Sequence, residues 1–514
     1  MIYQVIDLFA GPGGLGEGFS ALNEGKTFSI AVSAEMESSA HKTLILRSFF
    51  RRANGDHKAL AAYYNFCNSE GATHPRDLFG AAWTEATNEA RQLTLGTAEH
   101  NDILDKIISD KKLTEEKTVL IGGPPCQAYS LVGRSRNMGK PNYVAEDDHR
   151  HYLYREYLRI LHKARPAVFV MENVKGILSA KVNGKLIFND ILRDLTDPGK
   201  ALGKGSGVRY TIHSLITPVT FTSDMDPESI DAKDFVVHAE KYGIPQARHR
   251  VILLGVREEL KYEGKHLLTE VAQLTVRKAL QGIPKLRSKL GREDSPEKWH
   301  ETIVQLGNEL SADAALQKMS EVSERLKTVV NNLRNNLETG GLRHDRSKPV
   351  EPLIAQGTET YQRWVSDDKL NVWLNHETRS HMKSDLGRYL YASVFAQLNG
   401  YSPKGHAEFA LKGLAPAHAN WKTGKFADRF RVQRYTTPST TVTCHIAKDG
   451  HYFIHPDPSQ CRSLTVREAA RLQTFSDNYL FQGNKTQQYH QVGNAVPSLL
   501  ANQIAAICKK ILLI

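Results

Sequence analysis

From Met1 to about Gly255 the chain alternates short apolar, β-branched runs with helical patterns, a rhythm that few folds accommodate. The runs are Val5-Ile6-Asp7-Leu8, Ile30-Ala31-Val32, Thr118-Val119-Leu120-Ile121, Ala167-Val168-Phe169-Val170 and Val251-Ile252-Leu253-Leu254. They predict βαβ units around a mostly parallel sheet, an α/β fold. Tyr152 to Ala164 sets Leu153, Tyr157, Leu158 and Leu161 on one helical face, and Pro166 stops that crossover helix before the next strand.

After about Arg257 the alternation is lost. Leu316, Met319, Val322, Leu326, Val329, Leu333 and Leu337 recur at threes and fours, predicting one long amphipathic helix from Ala312 to Leu337, ended by Gly340-Gly341. From Tyr435 order returns: Thr465-Val466-Arg467-Glu468 is a capping-box pattern opening a helix from Arg467 to Phe475, and an apolar helix follows Pro497. The 514 residues exceed what one typical core needs. The expected division is therefore 1–256, a central module 257–430, and a C-terminal part 431–514 that returns to the first lobe.

Sixty-seven Lys and Arg against 56 Asp and Glu give a formal charge of +11, which favours a polyanionic partner without naming an activity. The five cysteines, Cys67, Cys126, Cys444, Cys461 and Cys508, show no C-x-x-C pair and no His/Cys spacing of a zinc site. A reduced cytoplasm and no bound metal are expected. No apolar run approaches the length of about 20 residues that a membrane span needs, and the early strand at Val5 leaves no room for a signal peptide.

Four segments carry chemistry. Asp7 to Gly16 (Asp-Leu-Phe-Ala-Gly-Pro-Gly-Gly-Leu-Gly) follows a strand and precedes a helix, where glycines let a loop pass close to a nucleotide-like ligand, although its spacing departs from the dinucleotide fingerprint. Glu35 follows the second strand, where a carboxylate can accept from ribose hydroxyls; a solvated strand-end acid fits that position equally well. In Gly122-Gly123-Pro124-Pro125-Cys126-Gln127-Ala128-Tyr129-Ser130 a strand runs into a rigid turn that presents one thiol, a poor core position and a good nucleophile position. Glu172-Asn173-Val174 brings an acid to the same sheet edge, and in Gln246-Ala247-Arg248-His249-Arg250 alternate residues of an extended strand share a face, so Gln246, Arg248 and Arg250 point together.

Taken in order with Gln491-Val492-Gly493-Asn494-Ala495-Val496-Pro497 and Arg467-Glu468-Ala469-Ala470-Arg471-Leu472-Gln473-Thr474-Phe475, these segments closely resemble the cytosine-5 DNA methyltransferases. The resemblance covers both ends of the chain and omits mainly residues 257–430, the place of that family's variable target-recognition domain. It implies a Rossmann-like S-adenosylmethionine-dependent methyltransferase domain with a smaller inserted target-recognition domain. By the same resemblance Cys126 attacks carbon 6 of cytosine, Glu172 stabilises the ring at nitrogen 3, and Arg250 or Arg248 holds base and glutamate. The cofactor set it implies is Phe9, Gly11, Gly13 and Gly14 in the loop, Glu35 on the ribose, and Met36 on the adenine. Asp102-Ile103 match the acidic motif that reads the adenine amino group, Leu153, Asn494 and Val496 lie at the methionine part, and Pro125 completes the set.

A cytosine cannot react inside a stacked duplex, so base flipping is implied. The glycine-bearing, basic stretch Leu131 to Asp148 is the expected closing loop, with Gln127, Ser130, Arg134 and Arg136 as DNA contacts. Two rivals share parts of the pattern. An RNA cytosine methyltransferase is disfavoured by the central insertion and the Pro-Pro-Cys-Gln form, and an inert DNA-binding repressor by the filled chemical positions and a chain that begins at the first motif. The compact plan looks like a bacterial or phage modification enzyme, expected to act as a cytoplasmic monomer beside a separate restriction endonuclease.

Overall fold

The computed structural model describes residues 1–125, 150–182, 184–291, 293–346, 358–417, 421 and 428–513. They form two compact units: residues 1–60, 74–272 and 495–514 make the first, and 61–73 with 273–494 the second.

The first unit is built on a nine-stranded sheet. In chain order its strands are β1 (Tyr3–Leu8), β2 (Phe28–Glu35), β3 (Ala90–Gln92), β4 (Thr118–Gly122), β5 (Val168–Val174), β6 (Tyr210–His213), β7 (Thr220–Phe221), β8 (Val236–His238) and β9 (His249–Arg257). The spatial order is β3-β2-β1-β4-β5-β9-β6-β7, with β8 paired to β9. From β3 to β5 every neighbour is parallel, and β9 then runs antiparallel to β5. β1 is central and buried on both faces, which is why Val5, Ile6 and Leu8 form an unbroken apolar run interrupted only by Asp7.

Helices cover this sheet. The crossover helix Arg150–Ala164 buries Tyr157, Leu158 and Leu161 as its periodicity predicts, and the Tyr157 hydroxyl donates to the Val170 carbonyl. The C-terminal helix Ser498–Leu512 packs on the first helix, Gly14–Ser20, with Asn502 Nδ2 donating to the Gly18 carbonyl. A Cβ on Gly18 would lie 2.4 Å from that of Ala501, so glycine is required for this approach. The tail thus returns to the first lobe. The stretch Lys485–Leu512 has the length and hydropathy of a membrane span, but Pro497 separates two helices within it and 67% of its most apolar window is buried in the protein.

The second unit corrects the expected single long helix. Pro296–Leu316 and Ser320–Asn331 are two helices, broken at Lys318, whose φ of 61° no helix continues through. Leu316, expected on the apolar face, is 83% exposed, and Gly340-Gly341 open a strand (Gly340–Asp345) instead of capping a helix. The spacing misleads because the second helix folds back on the first. A Cβ on Gly307 would lie 2.3 Å from Val330 Cγ2, so the missing side chain lets the two helices approach. Trp299, Ile303 and Leu326 share one core with Tyr389 and Leu390 of the helix Lys383–Asn399.

Residues 431–494 also group with the second unit, so its boundary falls at 494 and not at 430. The predicted capping box is present, with Thr465 and Glu468 opening the helix Val466–Leu472. What ties this segment in is buried charge. Arg467, fully buried, donates to the carbonyls of Leu374, Ser476 and Tyr479 at 2.8, 2.9 and 2.6 Å. Arg462 binds Glu468 with two 2.7 Å hydrogen bonds, and Arg471 binds Asp477 at 2.8 and 2.6 Å. Burial pushes the Glu468 carboxyl up, and the Arg462 guanidinium more than reverses it, holding the acid well below its usual range. Replacing Arg462 by Met should leave Glu468 charged and unpaired, lowering stability by about 3–5 kcal/mol, read from urea unfolding midpoints.

Candidate active site at the carboxyl edge of the sheet

In an open α/β sheet ligands bind beyond the carboxyl ends of the strands, where the strand order reverses. Here that point is β1, with β2 on one side and β4 on the other. The loop leaving β1 doubles back through three positive φ angles, Phe9 at 55°, Gly11 at 57° and Gly13 at 97°, closed by Gly13 N–H donating to the Ala10 carbonyl. A Cβ on Gly11 would meet nothing within 4 Å, so the space above it is open to a ligand. Gly14 serves packing instead: a Cβ there would lie 2.2 Å from the Val496 carbonyl oxygen, which brings these two sequence-selected residues together.

Glu35, half-buried at the end of β2, accepts from the N–H groups of Gly11 and Glu37 at 2.8 and 2.7 Å. Burial raises its pKa against the pull of those two donors. Met36 beside it is 60% exposed, an unusual state for methionine and a ready apolar platform. The strand-end partner of Glu35 in the ladder is Gln92, whose Nε2 donates to the Met36 carbonyl. Asp102 is not part of this rim. It lies exposed within the helix Ala98–Asp110, and Ile103 packs half-buried against the core. The Asp102-Ile103 pair that matches the adenine-reading motif thus falls on a helix that begins six residues after the strand ends at Gln92.

Asp102 instead lines a cavity of about 750 Å³ with Asp105, Arg159, Lys163, Arg165 and Lys204. Arg165 precedes β5, so that cavity lies toward the amino ends of the strands, away from the loop chemistry. Leu153 is half-buried near the start of the crossover helix, and Asn494 is the exposed last residue of the helix Lys485–Asn494.

Beyond β4, Gly123, Pro124 and Pro125 turn beside β5. Asn173 Nδ2 donates to the Pro124 carbonyl at 3.3 Å, and a Cβ on Gly123 would lie 3.0 Å from Glu172 Oε2. Glu172 therefore lies against the turn that leads into Cys126. Cys126 itself, Gln127, Ser130, Arg134, Arg136 and the closing loop Leu131 to Asp148 lie outside the described residues.

Arg250 Nε is 2.9 Å from Glu172 Oε1, with both side chains about one-seventh exposed (14% and 13%). The register explains the meeting: Ile252 pairs with Glu172 and Arg250 with Val174, so the ion pair is the diagonal across two antiparallel strands. Arg248 is buried but lies before β9 begins, where its N–H turns back to the Gln246 carbonyl at 2.8 Å. This kink breaks the expected alternation of Gln246, Arg248 and Arg250, and the partner of Glu172 is Arg250. Asn173, which the motif Glu172-Asn173-Val174 contains without marking a role for it, links β5 to that turn; its place beside the acid at the strand end was the available signal.

The profile described as C-5 cytosine-specific DNA methylase matches residues 84–202 and 230–510, most of the chain. The chain belongs to that family. The type II methyltransferase M.Bpa9945I of Bacillus paralicheniformis is 33% identical over 99% of both chains, and M.AgeI of Thalassovita gelatinovora 26% identical over 98% of this chain and 99% of its own. The DNA (cytosine-5-)-methyltransferase M.ApeKI of Aeropyrum pernix is 26% identical, covering 77% of this chain and 81% of its own. A crystal structure described as a DNA modification methyltransferase encoded within an E. coli prophage shares the fold, with a TM-score of 0.53 and 20% identity over both whole chains.

One buried acid of this methylase has no hydrogen-bond partner among the described residues. Asp7, fully buried beneath the β1 loop, has neither carboxylate oxygen hydrogen-bonded among the described residues, and Gly16 leaves room for it: a Cβ there would lie 2.8 Å from Asp7 Oδ2. Burial pushes its pKa up to about 8, although Arg51 pulls the other way. A folded-state value above the unfolded one favours the neutral acid, so its contribution is full below about pH 4 and is lost as pH rises toward 8. Asp7→Asn, which does not titrate, should flatten the fall in stability between pH 5 and pH 8, measured by urea unfolding of the ligand-free methylase.

Proposed function

We propose that this methylase transfers a methyl group from S-adenosylmethionine to carbon 5 of a cytosine flipped out of a short duplex DNA sequence, as the modification half of a restriction-modification pair. The observation that supports this reading most directly is the Glu172–Arg250 ion pair, held against the Pro124 turn that leads into the candidate nucleophile Cys126. The cofactor fits the edge of the sheet: open space over Gly11, a carboxylate at Glu35 beside that space, and the exposed Met36 for a flat ring. When bound, S-adenosylmethionine supplies an electrophilic methyl group on a sulfonium.

In this reading Cys126, as the thiolate, attacks carbon 6 of the extruded ring, and electron density moves to carbon 5. Glu172 offers a proton at ring nitrogen 3, where charge accumulates. Arg250 fixes the Glu172 carboxyl from the neighbouring strand, and Asn173 keeps the Pro124 turn at a set distance from that acid. Gln127, Ser130, Arg134 and Arg136 contact the DNA around the flipped nucleotide. The second unit, rich in basic and aromatic residues, reads the sequence, while the protein acts as a monomer and the cognate endonuclease acts separately.

The test is bisulfite sequencing of DNA treated with purified protein and S-adenosylmethionine. Cytosines protected in one short context, and lost with Cys126→Ser, are the expected result; no protection on any DNA would overturn the reading. Glu172→Gln should lower kcat on the order of 10²–10⁴-fold with cofactor affinity unchanged, measured by single-turnover methyl transfer and by calorimetry.

A further inference from the structure

Three metal-ligating side chains meet in the first unit with no role in the chemistry above. His238 ends β8, Glu240 follows it, and His249 begins β9; one potential ligand atom from each lies within 4.8 Å of the others. The ladder brings them together, since His238 pairs directly with His249 across the antiparallel strands. The two rings stack at 3.9 Å with a tilt of 21°. Glu240 Oε1 is 2.8 Å from His249 Nε2 and 3.8 Å from His238 Nδ1.

The second carboxylate oxygen points to a missing partner. Glu240 Oε2 is buried and has no hydrogen-bond partner among the described residues. A buried, unpaired carboxylate oxygen is costly, and a cation bound by the Glu240 carboxylate and the two imidazoles removes that cost. Two histidine nitrogens and one carboxylate match the three-ligand set of zinc sites that keep an open position for water. Ligand atoms around tetrahedral zinc lie about 3.3 Å apart, so binding draws the three side chains together and turns one ring out of the stack to aim its in-plane lone pair at the ion. Burial lowers the His238 pKa and the neighbouring His249 lowers it further, Glu240 opposes them, and Lys175 and Lys241 add smaller downward pulls. Lys241 is itself paired with Glu270 at 2.9 Å, which tempers its repulsion of a cation.

We propose that His238, Glu240 and His249 form a binding site for a divalent cation of the zinc class. The site adjoins the active-site ion pair through one residue: the His249 carbonyl accepts from Arg250 Nη1 at 2.8 Å. A cation on the His249 ring therefore steadies the strand start that aims Arg250 at Glu172.

Equilibrium dialysis of the full chain against micromolar zinc chloride tests this, in a Cys126→Ser background so that the thiol of the candidate nucleophile does not compete. The expected result is one ion per chain and a raised Tm, with His238→Ala and Glu240→Gln each weakening binding at least tenfold. Glu240→Gln keeps the shape and an acceptor for His249, so it carries the decision should the alanine variant not fold. A parent protein that takes up no zinc, or variants that bind as the parent does, would overturn the site and leave a hydrogen-bonded His–Glu pair only.

Discussion

The antiparallel pairing of β5 with β9 is the contact on which the candidate chemistry rests. One register sets Ile252 opposite Glu172 and, two residues away, sends Arg250 diagonally onto the same acid. A slip of one residue would turn Glu172 and Arg250 to opposite faces, because strand side chains alternate with a period of two. The register is locked by apolar residues, among them Phe169, whose ring fills the space that a side chain at Gly255 would occupy. Core packing and the geometry of the ion pair are therefore one constraint.

The same sheet explains why the loop after β1 and the turn before Cys126 leave in the same direction. β1 and β4 are parallel neighbours, so the segments after Leu8 and after Gly122 leave on one edge, and β5 delivers Asn173 and Glu172 to that edge as well. Gly122 permits the contact: a Cβ there would lie 2.6 Å from the Leu8 carbonyl oxygen. Small residues in this region set distances between backbones as much as they bend a loop.

In the second unit the organising interactions are buried guanidinium groups. Arg462, Arg467 and Arg471 are almost wholly buried, each bound to a carboxylate or to several carbonyls. Such groups tolerate burial only when nearly every donor is satisfied, which makes this cluster intolerant of truncation and ties residues 460–480 to the strand Val372–Glu377. The charged helix Val466–Leu472 is hence a core element, whatever its composition suggests.

The apolar alternation of the first 255 residues, the capping box at Thr465 and the motif residues Glu35, Glu172 and Arg250 were legible in the sequence, because strand burial, helix capping and glycine turns act over a few neighbouring residues. The break at Lys318, the boundary at 494, the displacement of Asp102 from the rim and the choice of Arg250 over Arg248 were not. Each depends on a partner far away in the chain: Val330 for Gly307, Leu374 for Arg467, Gln92 for Glu35, Glu172 for Arg250. The meeting of His238 with His249 comes from strand pairing over a shorter span, with Glu240 added by the turn that follows β8. Sequence by itself determined the local elements and the chemical types at their ends; tertiary packing decided which of those groups face one another, because contact across a sheet is set by register and not by spacing along the chain.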